Sequence, residues 1–135
     1  MNKLPMNEKK KILTLIIQKK FFDKIISGEK KIEYRELRPT TYRKYVVCDS
    51  EGNAVLDPKT EDFTPIKYDF IQFYVGYNKD RESALVEWKS AKIVVFVDDN
   101  DEVITYDYYG KEYWLSQIEI ELGAVINVKG PPKEE

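Results

Sequence analysis

The chain has 135 residues, 42% hydrophobic and 34% charged, with a formal net charge of −2, which is one domain's worth of sequence with enough apolar content to bury a core without staples. It contains no histidine and a single cysteine, Cys48, which removes Ser-His-Asp and Cys-His couples, His-ligated zinc and any disulfide within the chain. Charge is uneven: residues 1–45 carry 13 Lys/Arg against 5 Asp/Glu, a balance of +8, and the remainder carries −10, so a polyanion would be drawn to one third of the chain rather than to all of it.

Residues 1–10 read as a polar tail. Ile12 to Ile17 is short and β-branched, which predicts a buried strand. It is the longest apolar run, far too short to span a bilayer, and no secretory cleavage site follows it, so a cytoplasmic location and no membrane partner are expected. Lys9, Lys10, Lys11, Lys19 and Lys20 read as a solvated edge. Phe21 and Ile25, and Phe22 and Ile26, lie four apart and predict a short helix. Gly28 follows its last periodic residue, where a left-handed C′ position favours glycine. Lys30 to Arg35 returns as a strand. Pro39 can open a second short helix with Tyr42 and Tyr45 on its inner side.

Residues 48–67 form an irregular excursion: Ser50-Glu51-Gly52-Asn53 is a turn signal between Val46-Val47 and Val55-Leu56, and Pro58 and Pro65 oppose long elements. Tyr68 to Tyr77 predicts a strand with Ile71, Phe73 and Val75 in the core. Ser83 to Val97 predicts a longer strand that bends near Lys89-Ser90. Asp98-Asp99-Asn100-Asp101 is a tight turn, Val103 to Tyr109 a returning strand, and Gly110 its break. Tyr113 to Leu122 alternates Ile118, Ile120 and Leu122 with Gln117, Glu119 and Glu121. Gly123 then punctuates, Ala124 to Val128 is a last short strand, and 130–135 is a second tail. With no repeat or linker, 1–135 reads as one α+β domain: a small, partly closed antiparallel β-barrel with one or two short helices near the N-terminus.

The candidate site follows Gly28. Strand alternation puts Glu33 and Arg35 on one face and Ile32 and Tyr34 on the other. The apolar pair then suits the core, and the charged pair a cleft or solvent, with Lys30 at the strand entry able to swing toward Glu33. Arg35 offers a planar fork for phosphate or carbonyl groups. Lys30 can bind phosphate or, desolvated, act as base or nucleophile. Glu33 can position both cations, accept from a base edge or move a proton. On residue pattern alone, a cross-strand ion-pair ladder on an exposed face is the simpler reading.

Gly28-x-Lys30-x-x-Glu33-x-Arg35 resembles the G-x-K-x-x-E-x-R signature of the ASCH domain family. The approach through Phe21-Phe22-Asp23-Lys24-Ile25-Ile26-Ser27 is also similar to that family, and Ile118-Glu119-Ile120-Glu121-Leu122-Gly123 resembles its closing strand. The similarity covers residues 12–45 well and the rest by strand pattern only. The resemblance implies a PUA-like barrel whose signature residues line a cleft, with RNA or a modified nucleoside or nucleotide as partner. It also brings a hydrolase alternative. Some ASCH proteins deacetylate N-acetylated cytidine, and others have been assigned ribonuclease activity. The deacetylating branch uses the signature lysine, a threonine at the position of Glu33 and a glutamate on a later helical segment. This chain matches the lysine as Lys30, carries Glu33 in place of the threonine and shows no such helical segment. Thr40 or Thr41 could substitute only if the loop folded back. Lys30 and Glu33 are therefore the catalytic candidates if a reaction occurs, and binding is expected first.

The ligand-binding candidates are Gly28, Lys30, Glu33, Arg35, Arg38, Tyr42 and Arg43, the last three because rings beside guanidinium groups suit base stacking and phosphate contact. Packing of Tyr42 on the sheet with solvated arginines accounts for them equally well. Tyr106 and Tyr108 share a strand face that reads as a half-buried sheet face or, less simply, a stacking platform. Trp88 and Trp114 read as core or rim anchors, Glu87 as a possible second carboxylate and Cys48 as an inert small hydrophobe. No metal or cofactor is expected. A protein-interaction domain with a purely structural ion-pair face stays open as a third reading.

Overall fold

In the computed structural model residues 9–130 are described; of the two expected tails, 1–8 and 131–135 lie outside them. The elements in chain order are β1 (Ile12–Ile17), α1 (Lys19–Ser27), β2 (Ile32–Glu36), a 3-10 turn (Tyr42–Lys44), β3 (Phe70–Val75), β4 (Ser83–Val95), β5 (Thr105–Tyr108), β6 (Lys111–Trp114) and β7 (Ser116–Lys129). The described residues are thus mostly β with one α-helix, and α+β holds. Five strands form a sheet in the order β1-β3-β4-β7-β2, and β5 and β6 form a separate two-stranded sheet. Among the described residues no helix is long and apolar enough to cross a membrane.

Two features differ from the expected antiparallel barrel. The sheet order is open, with β1 and β2 at its ends, and β1 runs parallel to β3. Apolar alternation marks which residues of a strand face inward, but it is the same for either strand direction. Direction is set here by the long crossover between β1 and β3, which parallel pairing requires.

The described residues divide into two compact units, one comprising those up to Lys31, Lys67–Lys89 and those from Leu122 on, the other Ile32–Ile66 and Ser90–Glu121. In the first unit, β1 sets Leu13 against Ile71 and Leu15 against Phe73, and β4 sets Val86 against Ile71 and Ala84 against Phe73. All six side chains are buried, as are Phe22 and Ile25 of α1. Burying a large aliphatic or aromatic side chain contributes about 1.5–3 kcal/mol relative to exposure, so this cluster anchors the unit. Phe21 and Ile26, on the other edges of the helical stripe, are partly exposed.

Gly123 has a different role from the expected break. β7 runs through it without interruption, and a Cβ there would run into the carboxylate of Glu87. The glycine permits close approach of that side chain from β4, one of the standard uses of glycine in a strand.

In the second unit β2 pairs antiparallel with β7. Pro39 does not open a helix of any length: the segment makes a turn and then the single 3-10 turn, after which Tyr45 is 2% exposed. The 48–67 excursion is held by isolated bridges, Cys48 with Ala54, Leu56 with Phe63 and Val46 with Pro65. The Asp49 carboxylate accepts the N–H groups of Glu51 and Asn53 at 2.9 Å each, closing the turn expected at 50–53. Asp98 does the same for Asn100 and Glu102, and Val97 bridges Val103 beyond it. The strand expected from Val103 to Tyr109 is shorter and belongs to a hairpin, β5 turning through Tyr109 and Gly110 into β6.

Candidate functional site

The signature glycine does what its position predicts. Gly28 adopts φ +83° and its N–H donates to the Ile25 carbonyl at 3.1 Å. The Lys30 N–H then donates to the Lys24 carbonyl at 2.9 Å. These two bonds end α1 and turn the chain. Lys30 is half-buried in the first unit, with its ammonium 5.8 Å from the centre of the Phe21 ring, within the range of a cation–π contact.

On β2 the faces are the reverse of those expected. Ile32 is 38% and Tyr34 51% exposed, whereas Glu33 is 5% exposed. The pairing register gives the reason: Glu33 stands opposite Ile120 and Arg35 opposite Ile118, both fully buried, while Ile32 and Tyr34 stand opposite Glu121 and Glu119. Directly paired residues share a sheet face, so the charged pair occupies the core face of its unit. A single oxygen, Glu33 Oε2, accepts from Arg35 Nε at 2.8 Å and from Nη2 at 2.7 Å. Buried charge is tolerated only when paired and hydrogen-bonded in this way. The Arg35 side chain keeps 27% of its exposure.

The remaining candidates cluster beyond β2. Arg38 is exposed and steadied by Glu36, whose Oε2 lies 3.1 Å from Arg38 Nε and 3.0 Å from Nη2. The Tyr42 hydroxyl donates to the Gly52 carbonyl at 2.7 Å, tying the 3-10 turn to the excursion. The Arg43 guanidinium sits over Gly52, close enough that a Cβ would come within 2.8 Å of its Cζ. A hydrogen bond with Tyr42 raises the Arg43 pKa further. Thr41 Oγ1 accepts the Arg38 backbone N–H at 3.3 Å, so its hydroxyl serves the local turn.

This segment forms one wall of a cavity of about 240 Å³ inside the second unit. Its lining includes Leu37, Arg38, Tyr42 and Val46, then Asn53, Ala54 and Phe63 from the excursion. The β5–β6 hairpin adds Tyr106, Lys111, Glu112, Tyr113 and Trp114, and Ser116 follows. Glu33, Arg35 and Arg43 are not part of this lining. Tyr106 and Tyr113 face one another across the hairpin with ring centres 6.0 Å apart and planes 27° from parallel. Phe63 meets Trp114 edge-on at 5.5 Å. Burial pushes the Tyr106 phenol up, helped by Glu36 and Tyr113 and partly offset by Arg38, so it stays neutral and able to donate.

The sequence pattern named Arg38 and Tyr42 as ligand-binding candidates beside Lys30, Glu33 and Arg35; the two line this cavity instead, together with Asn53, Phe63, Lys111, Glu112 and Tyr113, which the pattern did not single out. The aromatic density of 106–114 was the available signal; the hairpin that folds it back was not apparent. Trp114 is a rim residue at 43% exposure and Trp88 a core residue at 7%. Glu87 is exposed and lies against Gly123 in the first unit. The Cys48 thiol is raised chiefly by burial, consistent with an inert role. Among the described residues no group of three or more His, Cys, Asp or Glu is arranged to hold a metal ion. No family model, no curated protein and no solved structure matches this chain.

Proposed function

We propose that this chain is an RNA- or nucleotide-binding domain of the ASCH type, with a PUA-like variant of the α+β fold. The observation that carries the reading is the Glu33–Arg35 pair on the core face of β2. An ion pair taken out of water contributes little net stability compared with apolar residues of the same volume. What it does provide is a guanidinium held in one orientation by a carboxylate that is itself 5% exposed, and a pre-oriented planar fork suits phosphate. The G-x-K-x-x-E-x-R spacing and the basic first third support the same class of partner. Binding is favoured over catalysis because Glu33 stands where the deacetylating ASCH branch carries its threonine, and its Oε2 holds the Arg35 guanidinium through Nε and Nη2.

The test is fluorescence anisotropy with a labelled single-stranded RNA, at low and at moderate salt. Lys30→Ala and Arg35→Lys, each shown folded by circular dichroism, should weaken binding, and Lys30→Ala, which removes a charge, should also flatten its salt dependence. Undiminished binding in both variants would overturn the proposal.

A further inference from the structure

We infer that the cavity of the second unit receives one unstacked nucleobase together with its phosphate. The inference rests on the nucleotide-binding reading and assigns it a place that the signature residues do not occupy.

Size is the first argument. At about 240 Å³ the cavity falls below the range of about 300–1,000 Å³ usual for drug-sized ligands. That is room for a nucleobase, with its sugar and phosphate at the open mouth where Arg38 and Lys111 stand. Its walls come next. Tyr42, Tyr106, Tyr113 and Trp114 all reach the lining, and their rings are held by neighbours: the Tyr42 hydroxyl on a backbone carbonyl, Tyr106 and Tyr113 on each other, Trp114 on Phe63. Pre-placed aromatic faces are how proteins hold a base that has left its stack. Trp114 remains 43% exposed, which leaves much of its surface available to an incoming ring.

The polar groups complete the match. Arg38 and Lys111 are both exposed at the lining, and Arg38 is oriented by Glu36, so cations stand ready for a phosphate beside the aromatic walls. Asn53, with donors and an acceptor, and Glu112, with acceptors, can read a base edge. A purely apolar ligand would leave these four groups without use. A duplex would keep its bases stacked and out of reach.

The source of the base, a free nucleotide or a strand, is separated by experiment. Tryptophan fluorescence of the full chain is titrated with the four nucleoside 5′-monophosphates and, in parallel, with single-stranded RNA pentamers. Trp114→Phe serves as control, since Trp88 is buried at 7% exposure. Quenching should be saturable and lost in Trp114→Phe. Lys111→Ala and Arg38→Ala alter exposed side chains and should weaken binding about tenfold; Tyr113→Ser should weaken it by the same order or more. Saturable quenching by monophosphates alone supports the pocket with a free nucleotide as ligand, and quenching by pentamers alone supports it with a strand. No quenching by any of these ligands overturns the inference. It is equally overturned if Lys111→Ala, Arg38→Ala and Tyr113→Ser bind like the parent while Arg35→Lys does not; in that result the RNA-binding reading survives and the pocket does not.

Discussion

Replacing Arg35 by methionine should be the most informative single perturbation of this protein. Glu33 and Arg35 side chains retain 6% and 27% of their exposure, and both short contacts converge on Glu33 Oε2. Removing one partner of a fully buried pair costs about 3–5 kcal/mol. Because Arg35 is about a quarter exposed, water can replace part of what it supplied, which brings the expectation to about 2–3 kcal/mol. For a chain of this size that corresponds to a fall of about 6–12 °C in Tm. Glu33→Leu should cost less, about 1–2 kcal/mol, because the guanidinium left behind can turn toward solvent. The double variant Glu33→Leu, Arg35→Met should return to within about 1 kcal/mol of the parent, since well-packed apolar residues replace an ion pair at little net cost. Urea unfolding of the four proteins, with m-values compared, closes the cycle. Additive effects, or a loss below about 0.5 kcal/mol for Arg35→Met, would show that the pair is not coupled and that the buried-face assignment of β2 is wrong.

Three further outcomes can be checked. Gly123→Ala should destabilise by up to about 1 kcal/mol, because the new Cβ meets the exposed Glu87 side chain, whose carboxylate can swing aside while its Cβ stays close; adding Glu87→Ala should recover most of the loss in the same urea assay. Tyr109 turns the β5–β6 hairpin at φ +51° and is 91% exposed, so Tyr109→Asn should raise stability by about 0.5–1 kcal/mol, an asparagine-glycine turn being the favoured hairpin sequence; a loss of stability would show that its edge contact with Tyr108 outweighs the backbone strain. Burial raises the pKa of Tyr68 from its ordinary 10.0. Above about pH 10 the unfolded chain therefore gives up that proton while the folded chain retains it, and stability falls as pH rises toward the folded value. The urea midpoint between pH 8.5 and 11 should decline less steeply in Tyr68→Phe than in the parent.

Local chemistry was readable without the fold. Gly28 ends α1 because a left-handed residue is needed where the helical stripe stops, and Asp49 and Asp98 close their turns with side chains that reach only a few residues. The alternation of Ile71 with Phe73 and of Ile118 with Ile120 marked residues that end up fully buried. Each of these depends on neighbours within one or two turns of chain.

What the tertiary structure decided is which face of each strand is covered, and by what. Period-two alternation says that Glu33 and Arg35 share a face; it does not say that the face is the one shared with Ile120 and Ile118. Apolar residues alone would have put Ile32 and Tyr34 inside, and the register of β7 overrides that preference. The same holds for Gly123, whose meaning depends on Glu87 across the sheet, for the parallel pairing of β1 with β3, and for the cavity, whose walls come from segments about 60 residues apart. Burial and pairing are properties of contacts between distant segments, and no local period encodes them.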